Sequence, residues 1–247
     1  MIYIKTMKYG RLLMTVFLVL MFLVGCNTAE KGQETSKSAC KEVVDWVDFM
    51  IINEITYVRN SDETMVIKPE QIGDKVGEVN YTLSGHACSD HVSQNGDAAF
   101  LPIGTEVREL KGYQSQFRVV AEGKIYQADD NPNASTLGDL LDIEGKVQKV
   151  SLESGIDGSR IGDFSKDAAA DFISELIPLK YVGFDEVYKK AKHESGVFLR
   201  VHLQDGTSFR MVFYPKANAF TDGAFGTEKL KRLIMSQRQQ IKAAAGM

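Results

Sequence analysis

The chain has 247 residues, with 29 lysine and arginine side chains against 33 aspartate and glutamate side chains and a formal net charge of −4. This length is enough for one large or two small domains with hydrophobic cores. The acidic balance, without an evident cluster of basic residues, argues against nucleic acid as a partner and against attraction of the folded surface to anionic lipid.

The N-terminal end has the pattern of a secretory signal. Three basic residues, Lys5, Lys8 and Arg11, stand before an apolar run from Leu12 to Gly25. This run is shorter than the roughly 20 residues that a helix needs to cross a bilayer. A basic start followed by a short apolar run therefore predicts a signal peptide and not a membrane span.

The apolar run ends in Leu23-Val24-Gly25-Cys26, which resembles the lipobox of bacterial lipoproteins. In that family the cysteine receives a diacylglyceryl group, and cleavage makes it the first residue of the mature chain. The resemblance implies that residues 1–25 are a lipoprotein signal peptide and that Cys26 is the lipid anchor on the extracytoplasmic face of the cell membrane. An uncleaved N-terminal anchor and ordinary secretion are the alternatives.

Residues 26–39 are predicted to be a flexible tether. From Asn27 to Ala39 no large apolar side chain occurs, so this segment cannot offset the entropy cost of folding. Fully extended, it would hold a domain about 40 Å from the membrane. Removing the signal takes three basic residues from the 29 and leaves a net charge of −7, so the anchor alone is expected to provide membrane attachment.

Two further cysteines, Cys40 and Cys88, follow the anchor. Disulfides persist in the compartments to which exported proteins go, so these two cysteines are a possible pair. The alternative is two unpaired thiols, one at the end of the tether and one in a loop.

The segment 40–128 is predicted to be a β-rich module, because short apolar runs alternate there with turn-forming residues. Asn53-Glu54 separates two such runs and predicts a hairpin, and Glu122-Gly123 stands between two further runs. In chain order the predicted strands are 46–51, 55–58, 77–83, 105–110, 117–121 and 124–128.

Within this module, NGDAAFLPIGTEV begins a segment that runs from Asn95 to Ala128. The segment resembles one that recurs in uncharacterised lipoproteins and secreted proteins of the Gram-positive Bacillus and Paenibacillus type. The resemblance implies a shared fold module and brings no catalytic residue with it.

Residues 129–136 are rich in turn formers and are predicted to be a linker. The segment 137–247 then mixes strands and helices. Its predicted order is β-α-α-β-β-α, an antiparallel sheet packed with helices, so the whole chain is expected to have an α+β fold.

Three helices are predicted in this α+β domain. Ser165 can cap the first, whose apolar residues repeat at three and four positions until Pro178 ends it. The second covers 184–191. Thr227 can cap the third, which carries its apolar residues on one face. The first strand of the domain is predicted at 143–152.

The segment from Val197 to Tyr214 predicts a β-hairpin whose register can be argued. A two-residue turn at Asp205-Gly206 would mix polar and apolar residues on both faces. A three-residue loop with Gly206 left-handed instead places Val201 opposite Phe209 and gives one apolar face. The second register is therefore predicted, and it also pairs Leu199 with Met211 and Val197 with Phe213.

Two groups of residues are candidates for binding chemistry. The stretch HACSDH contains His86, Cys88, Asp90 and His91, all of types that bind transition metals. Their crowding favours the alternative, a polar surface loop.

The second group lies on the polar face of the predicted hairpin. Arg200, His202 and Arg210 could form a small anion-binding patch there, and the alternative is a solvated sheet face. No nucleophile and base stand at a recognisable spacing, and no phosphate-binding glycine loop is present, so an enzyme is unsupported and no cofactor is expected.

The sequence thus predicts a membrane-anchored extracytoplasmic lipoprotein that acts as a binding or interaction module. Its expected partners are another envelope protein, a peptide or a cell-wall ligand. The alternative is a small envelope enzyme or metal-binding lipoprotein that uses the His86–His91 loop. The rings of Tyr113, Phe117 and Tyr126 either line a groove or belong to the core.

Overall fold

The computed structural model describes residues 44–60 and 66–247. The predicted signal peptide, the anchor Cys26, the tether and Cys40 lie outside the described residues. All described residues belong to one compact unit. Helices and β-sheets are both present, so the predicted α+β fold is confirmed.

The first sheet has eight strands and comes from the N-terminal half of the described chain. The strands are β1 Phe49–Ile52, β2 Ile55–Arg59, β3 Ile72–Glu78, β4 Tyr81–Thr82, β5 Asp97–Ala98, β6 Glu106–Leu110, β7 Arg118–Ala121 and β8 Lys124–Asp130. Their order is β3-β6-β7-β8-β2-β1-β5-β4. The sheet is curled, because Gly77 of β3 lies so close to Ile52 of β1 that an added Cβ would stand 2.4 Å from its Cγ2.

The hairpin predicted at Asn53-Glu54 is confirmed, and Glu122-Gly123 likewise joins β7 to β8 in a tight hairpin. Asn53 and Glu54 have φ angles of 53° and 66°, and Glu122 and Gly123 have 49° and 70°, as a two-residue turn between twisted strands requires. The predicted strand 77–83 is wrong in its bounds. The chain breaks there because the Val79 and Asn80 amides bond to the carbonyls of Thr105 and Gly96, and β3 extends back to Ile72.

The second sheet has six strands in the order β10-β9-β11-β12-β13-β14. The strands are β9 Val147–Glu153, β10 Arg160–Asp163, β11 Val197–Leu203, β12 Ser208–Tyr214, β13 Ala219–Phe220 and β14 Ala224–Phe225. The helices are α1 Leu137–Leu140, α2 Lys166–Leu176, α3 Phe184–Ala191 and α4 Glu228–Ala244. The predicted β-α-α-β-β-α order is present, with β10, β13, β14 and α1 in addition.

The helix starts follow the predicted caps. The Ser165 hydroxyl accepts a hydrogen bond from the Ala168 amide at 3.2 Å, and the Thr227 hydroxyl accepts one from the Leu230 amide at 3.0 Å. Such caps typically contribute about 1 kcal/mol each. None of the helices in the described part of the chain is long and apolar enough to span a bilayer.

The predicted register of the β11–β12 hairpin is confirmed. Val201 pairs with Phe209, and the loop residue Gly206 has a φ of 89°. The side chains of β11 alternate between buried and half-buried along the whole strand, so one face packs inward and the other carries the polar residues.

One hydrophobic core receives residues from both sheets. The rings of Phe117 and Phe209, one from each half of the chain, lie 6.0 Å apart. Phe117 and Tyr126 are fully buried, so these rings belong to the core and do not line a groove. The division into modules 40–128 and 137–247 stays a prediction; the structure gives the two halves a shared core.

A buried arginine joins the two sheets. The Arg118 side chain is 0% exposed, and its guanidinium donates to Thr207 Oγ1 at 2.6 Å and to Gln127 Oε1 at 2.9 Å. It also lies over the rings of Tyr113 and Phe117. Thr207 belongs to the tip of the β11–β12 hairpin, so this Arg118 junction fixes the hairpin tip against the first sheet.

Candidate ligand-binding cleft

An open cleft of about 350 Å³ lies where β2 and β8 of the first sheet meet β12 of the second. The start of α3 and the turn after β13 form its other side. The residues that line it are Val58, Arg59, Asn60, Gln127, Ala128, Asp129, Leu140, Phe184, Phe209, Arg210, Thr221 and Asp222. The junction of the sheets therefore creates a mixed polar and aromatic surface from distant parts of the chain.

Two carboxyl groups in the cleft are held in unfavourable surroundings for negative charge. Burial, with repulsion from Asp129, raises the pKa of Asp222 to about 7. Asp129 is an exposed residue, but partial desolvation of its carboxyl group, with repulsion from Asp130, also raises its pKa. The Thr221 hydroxyl donates to Asp222 Oδ2 at 3.2 Å, and this contact offsets only part of the penalty.

The two arginines that line the cleft make their ion pairs elsewhere. Arg59 Nη1 stands 3.6 Å from an oxygen of Asp48. Arg210 Nε donates to Glu153 Oε2 at 2.9 Å, and its guanidinium lies over the Phe198 ring. Within the described chain, neither Asp129 nor Asp222 forms an ion pair.

The predicted anion-binding patch lies on the outer face of the second sheet. Arg200 and Arg210 are opposite each other on β11 and β12, and both donate to the carboxylate of Glu153 on β9. Glu153 is 5% exposed and neutralises charge on this face. An anionic ligand would have to displace that carboxylate before it could bind both arginines.

His202, the third residue of the predicted patch, belongs to a different network. Its Nε2 lies 2.8 Å from Ser151 Oγ, which donates to Asp163 Oδ1 at 2.7 Å. Burial, with the positive charges of Lys149 and Arg200, lowers the pKa of His202. Ser151 is buried and stands between the acid and the histidine, whereas a nucleophilic serine needs histidine in the middle.

The HACSDH loop, the predicted metal site, is organised by other contacts. Cys88 is disulfide-bonded, and Cys40, its predicted partner, lies outside the described residues. His91 Nε2 lies 2.7 Å from Asp97 Oδ2, and the rings of His86 and His91 both contact Tyr81, while Asp90 is exposed. Over residues 44–60 and 66–247, no group of three or more potential ligands is arranged to hold a metal ion.

Sequence reasoning missed the acidic residues of the cleft. Asp129 falls in the predicted linker, and Asp222 precedes Gly223 in what looks like an ordinary turn. The two residues come together only because β8 and the turn after β13 meet in the fold. A carboxyl group that titrates near neutral pH in a cleft is typical of a functional site.

Comparisons with protein-family models, with curated proteins and with solved structures find no match to this chain. The structure shows an α+β protein with an open cleft at the junction of two sheets, lined by two arginines and two aspartates.

Proposed function

We propose that the protein is an extracytoplasmic lipoprotein, anchored to the cell membrane through Cys26, whose cleft binds a peptide, a cell-wall ligand or a segment of another envelope protein. The lipobox-like sequence supports the anchor. The disulfide at Cys88 supports the location, because disulfides are rare in reducing compartments.

The pair Asp129 and Asp222 carries the binding part of the proposal. Both carboxyl groups face the cleft, both have raised pKa values, and no cation of the described chain pairs with either. A ligand that brings a positive charge, such as an amine, would relieve their repulsion. The half-exposed Phe184 ring offers an aromatic wall on which the same cation could rest.

The anchor is tested by replacing Cys26 in cells. The wild-type chain should incorporate a labelled fatty acid and fractionate with the membrane, and Cys26→Ser should lose the label. Thr28→Ser, a small change beside the anchor, serves as the matched control and should behave as wild type. A wild-type chain that stays unlabelled and in the cytosol would refute the lipoprotein assignment.

The cleft is tested with a trilysine peptide as the probe, by titration calorimetry. Since the cation favours ionised Asp222, binding should be about tenfold tighter near pH 8 than near pH 6, with proton release on binding near pH 7. Asp222→Asn should weaken binding and remove this pH dependence.

Asp185→Asn is the matched control for the calorimetry, because it removes the same charge from an exposed position next to Phe184. It should leave the pH dependence intact. Binding of trilysine that is unaffected by Asp222→Asn would rule out the carboxyl pair as the cation site.

A further inference from the structure

The helix α4 presents a basic face on an otherwise acidic protein. Between Glu228 and Ala244 it contains five lysines and arginines and a single acidic residue. Its inward face is apolar, with Leu230, Ile234 and Ile241 buried. The negative net charge of the chain does not reveal this face, because nearly all of the acidic residues lie on other elements.

Four of the cations on α4 are not neutralised within the structure. Lys229 pairs with Glu175 at 2.8 Å. The other four make no ion pair with any part of the chain that the structure describes, and we call them the α4 basic face: Lys231, Arg232, Arg238 and Lys242.

Apolar side chains stand among these cations. Met235, which is half-buried and also packs against the core, follows the spacing of Lys231, Arg238 and Lys242 along one stripe of the helix. Met247, which is 70% exposed, lines a shallow groove together with Met235, Arg238 and Lys242. An adjoining depression also contains Arg238, Lys242 and Met247, and it reaches Ile156, which is 99% exposed.

We propose that the α4 basic face, with Met235, Met247 and Ile156, docks on the anionic surface of the bilayer to which Cys26 tethers the chain; this inference rests on the proposed lipid anchor. A bilayer interface offers acidic headgroups to the cations and an apolar layer to the methionines and the isoleucine. A soluble polyanion would satisfy the cations and leave the apolar side chains in water.

The length of the tether makes this contact possible. Residues 27–43 separate the anchor from the first described residue, and they span at most about 60 Å when extended. A domain held this close to a bilayer meets its surface at high effective concentration, so a weak surface contact is enough to orient it. Docking through α4 would fix which side of the protein faces the membrane.

The experiment uses the full lipidated protein in vesicles. Met247→Trp, in a Trp46→Phe background, places a fluorophore at the proposed contact. Brominated lipids should quench it in vesicles that contain phosphatidylglycerol and not in pure phosphatidylcholine vesicles, and high salt should abolish the quenching. Replacing Arg232, Arg238 and Lys242 with Gln should lower the equilibrium constant for docking about fivefold for each cation removed.

The control replaces three exposed lysines outside the face, Lys180, Lys192 and Lys216, with Gln, which changes the net charge equally. It should preserve most of the quenching. Attachment to phosphatidylcholine vesicles tests the Cys26 anchor. The difference in quenching between anionic and neutral vesicles tests the α4 basic face. A missing anchor can therefore be distinguished from an α4 basic face that does not dock.

Two results would overturn the proposal. One is quenching that is equal in neutral and anionic vesicles or unchanged in the triple α4 variant. The other is tight binding of inorganic polyphosphate that depends on Arg232, Arg238 and Lys242 while the vesicles give no quenching, which would assign the face to a soluble polyanion.

Discussion

At the scale of single residues, the most consequential side chain is Arg118. It is buried without loss of hydrogen bonding, because Thr207 and Gln127 accept from it and Tyr113 and Phe117 stack on it. The nearby Asp205 lies 3.9 Å away. Burial opposes ionisation of Asp205, but hydrogen bonds from Tyr113 and Thr207 outweigh it, and the pKa of Asp205 is lowered.

Replacing Arg118 should destabilise the protein strongly. Arg118→Met leaves the Thr207 hydroxyl and the Gln127 amide oxygen without this donor and Asp205 without its cation, and an unsatisfied buried polar partner typically costs about 1–3 kcal/mol. Urea unfolding measures the loss. Arg108→Met is the control, since solvent screens the half-exposed Arg108–Glu106 pair and its loss should have a much smaller effect. Equal effects of the two changes would contradict the role of the Arg118 junction.

Asp222 should make stability depend on pH. Its folded pKa of about 7 exceeds the ordinary value, so stability is greatest below about pH 4 for this group and is lost as the pH rises to about 7. Asp222→Asn should therefore stabilise the protein at pH 8, by up to about 4 kcal/mol, and should have a small effect at pH 4. Chemical unfolding at both pH values tests this, with Asp185→Asn as the exposed control.

At the scale of elements, the hairpin of β11 and β12 shows what local sequence can determine. A one-residue change in loop length would change which residues face the core, so the alternation of Val197 to Phe213 fixes the register. Gly206 supplies the left-handed residue that the three-residue loop needs. Local sequence also determines where two helices begin. At Ser165 and at Thr227, a capping hydroxyl followed by apolar residues at helical spacing defines the first turn.

Gly206 can be tested by substitution. Gly206→Ala should cost about 1–2 kcal/mol, because a Cβ disfavours a φ of 89°. Gly206→Asn is the matched control and should cost less, since asparagine tolerates the left-handed region. Thermal unfolding of the two variants gives the comparison. Equal stability of Ala and Asn at this position would contradict the proposed turn conformation.

Elements that depend on partners distant in the chain could not be predicted from the sequence. The two-residue strands β5, β13 and β14 have no periodicity of their own and exist because neighbouring strands complete them. Asp129 and Asp222 meet through the fold, and neither position is distinctive in sequence. The basic face of α4 was overlooked because net charge averages over the chain, while the helix gathers Lys231, Arg238 and Lys242 on one stripe.

At the scale of the whole molecule, the disulfide at Cys88 should tie the start of the folded chain to the first sheet if its partner is Cys40. Cys88→Ser and Cys40→Ser should then each lower the free energy of unfolding by about 2–4 kcal/mol, and the double variant should lose no more than either single one. Additive losses would exclude the pairing of these two cysteines. Guanidinium unfolding of the three variants decides between the outcomes.

The edge strands of both sheets limit how two copies of the protein could associate. β4 and β14 are each two residues long, and β3 and β10, at the opposite margins, pair irregularly with their neighbours. Neither sheet therefore has a long, regular edge strand whose unpaired backbone N–H and C=O groups could pair with another copy. If the proposed lipid anchor confines copies side by side in a membrane, they would collide often, yet these short and irregular edge strands give them no template for fibril formation.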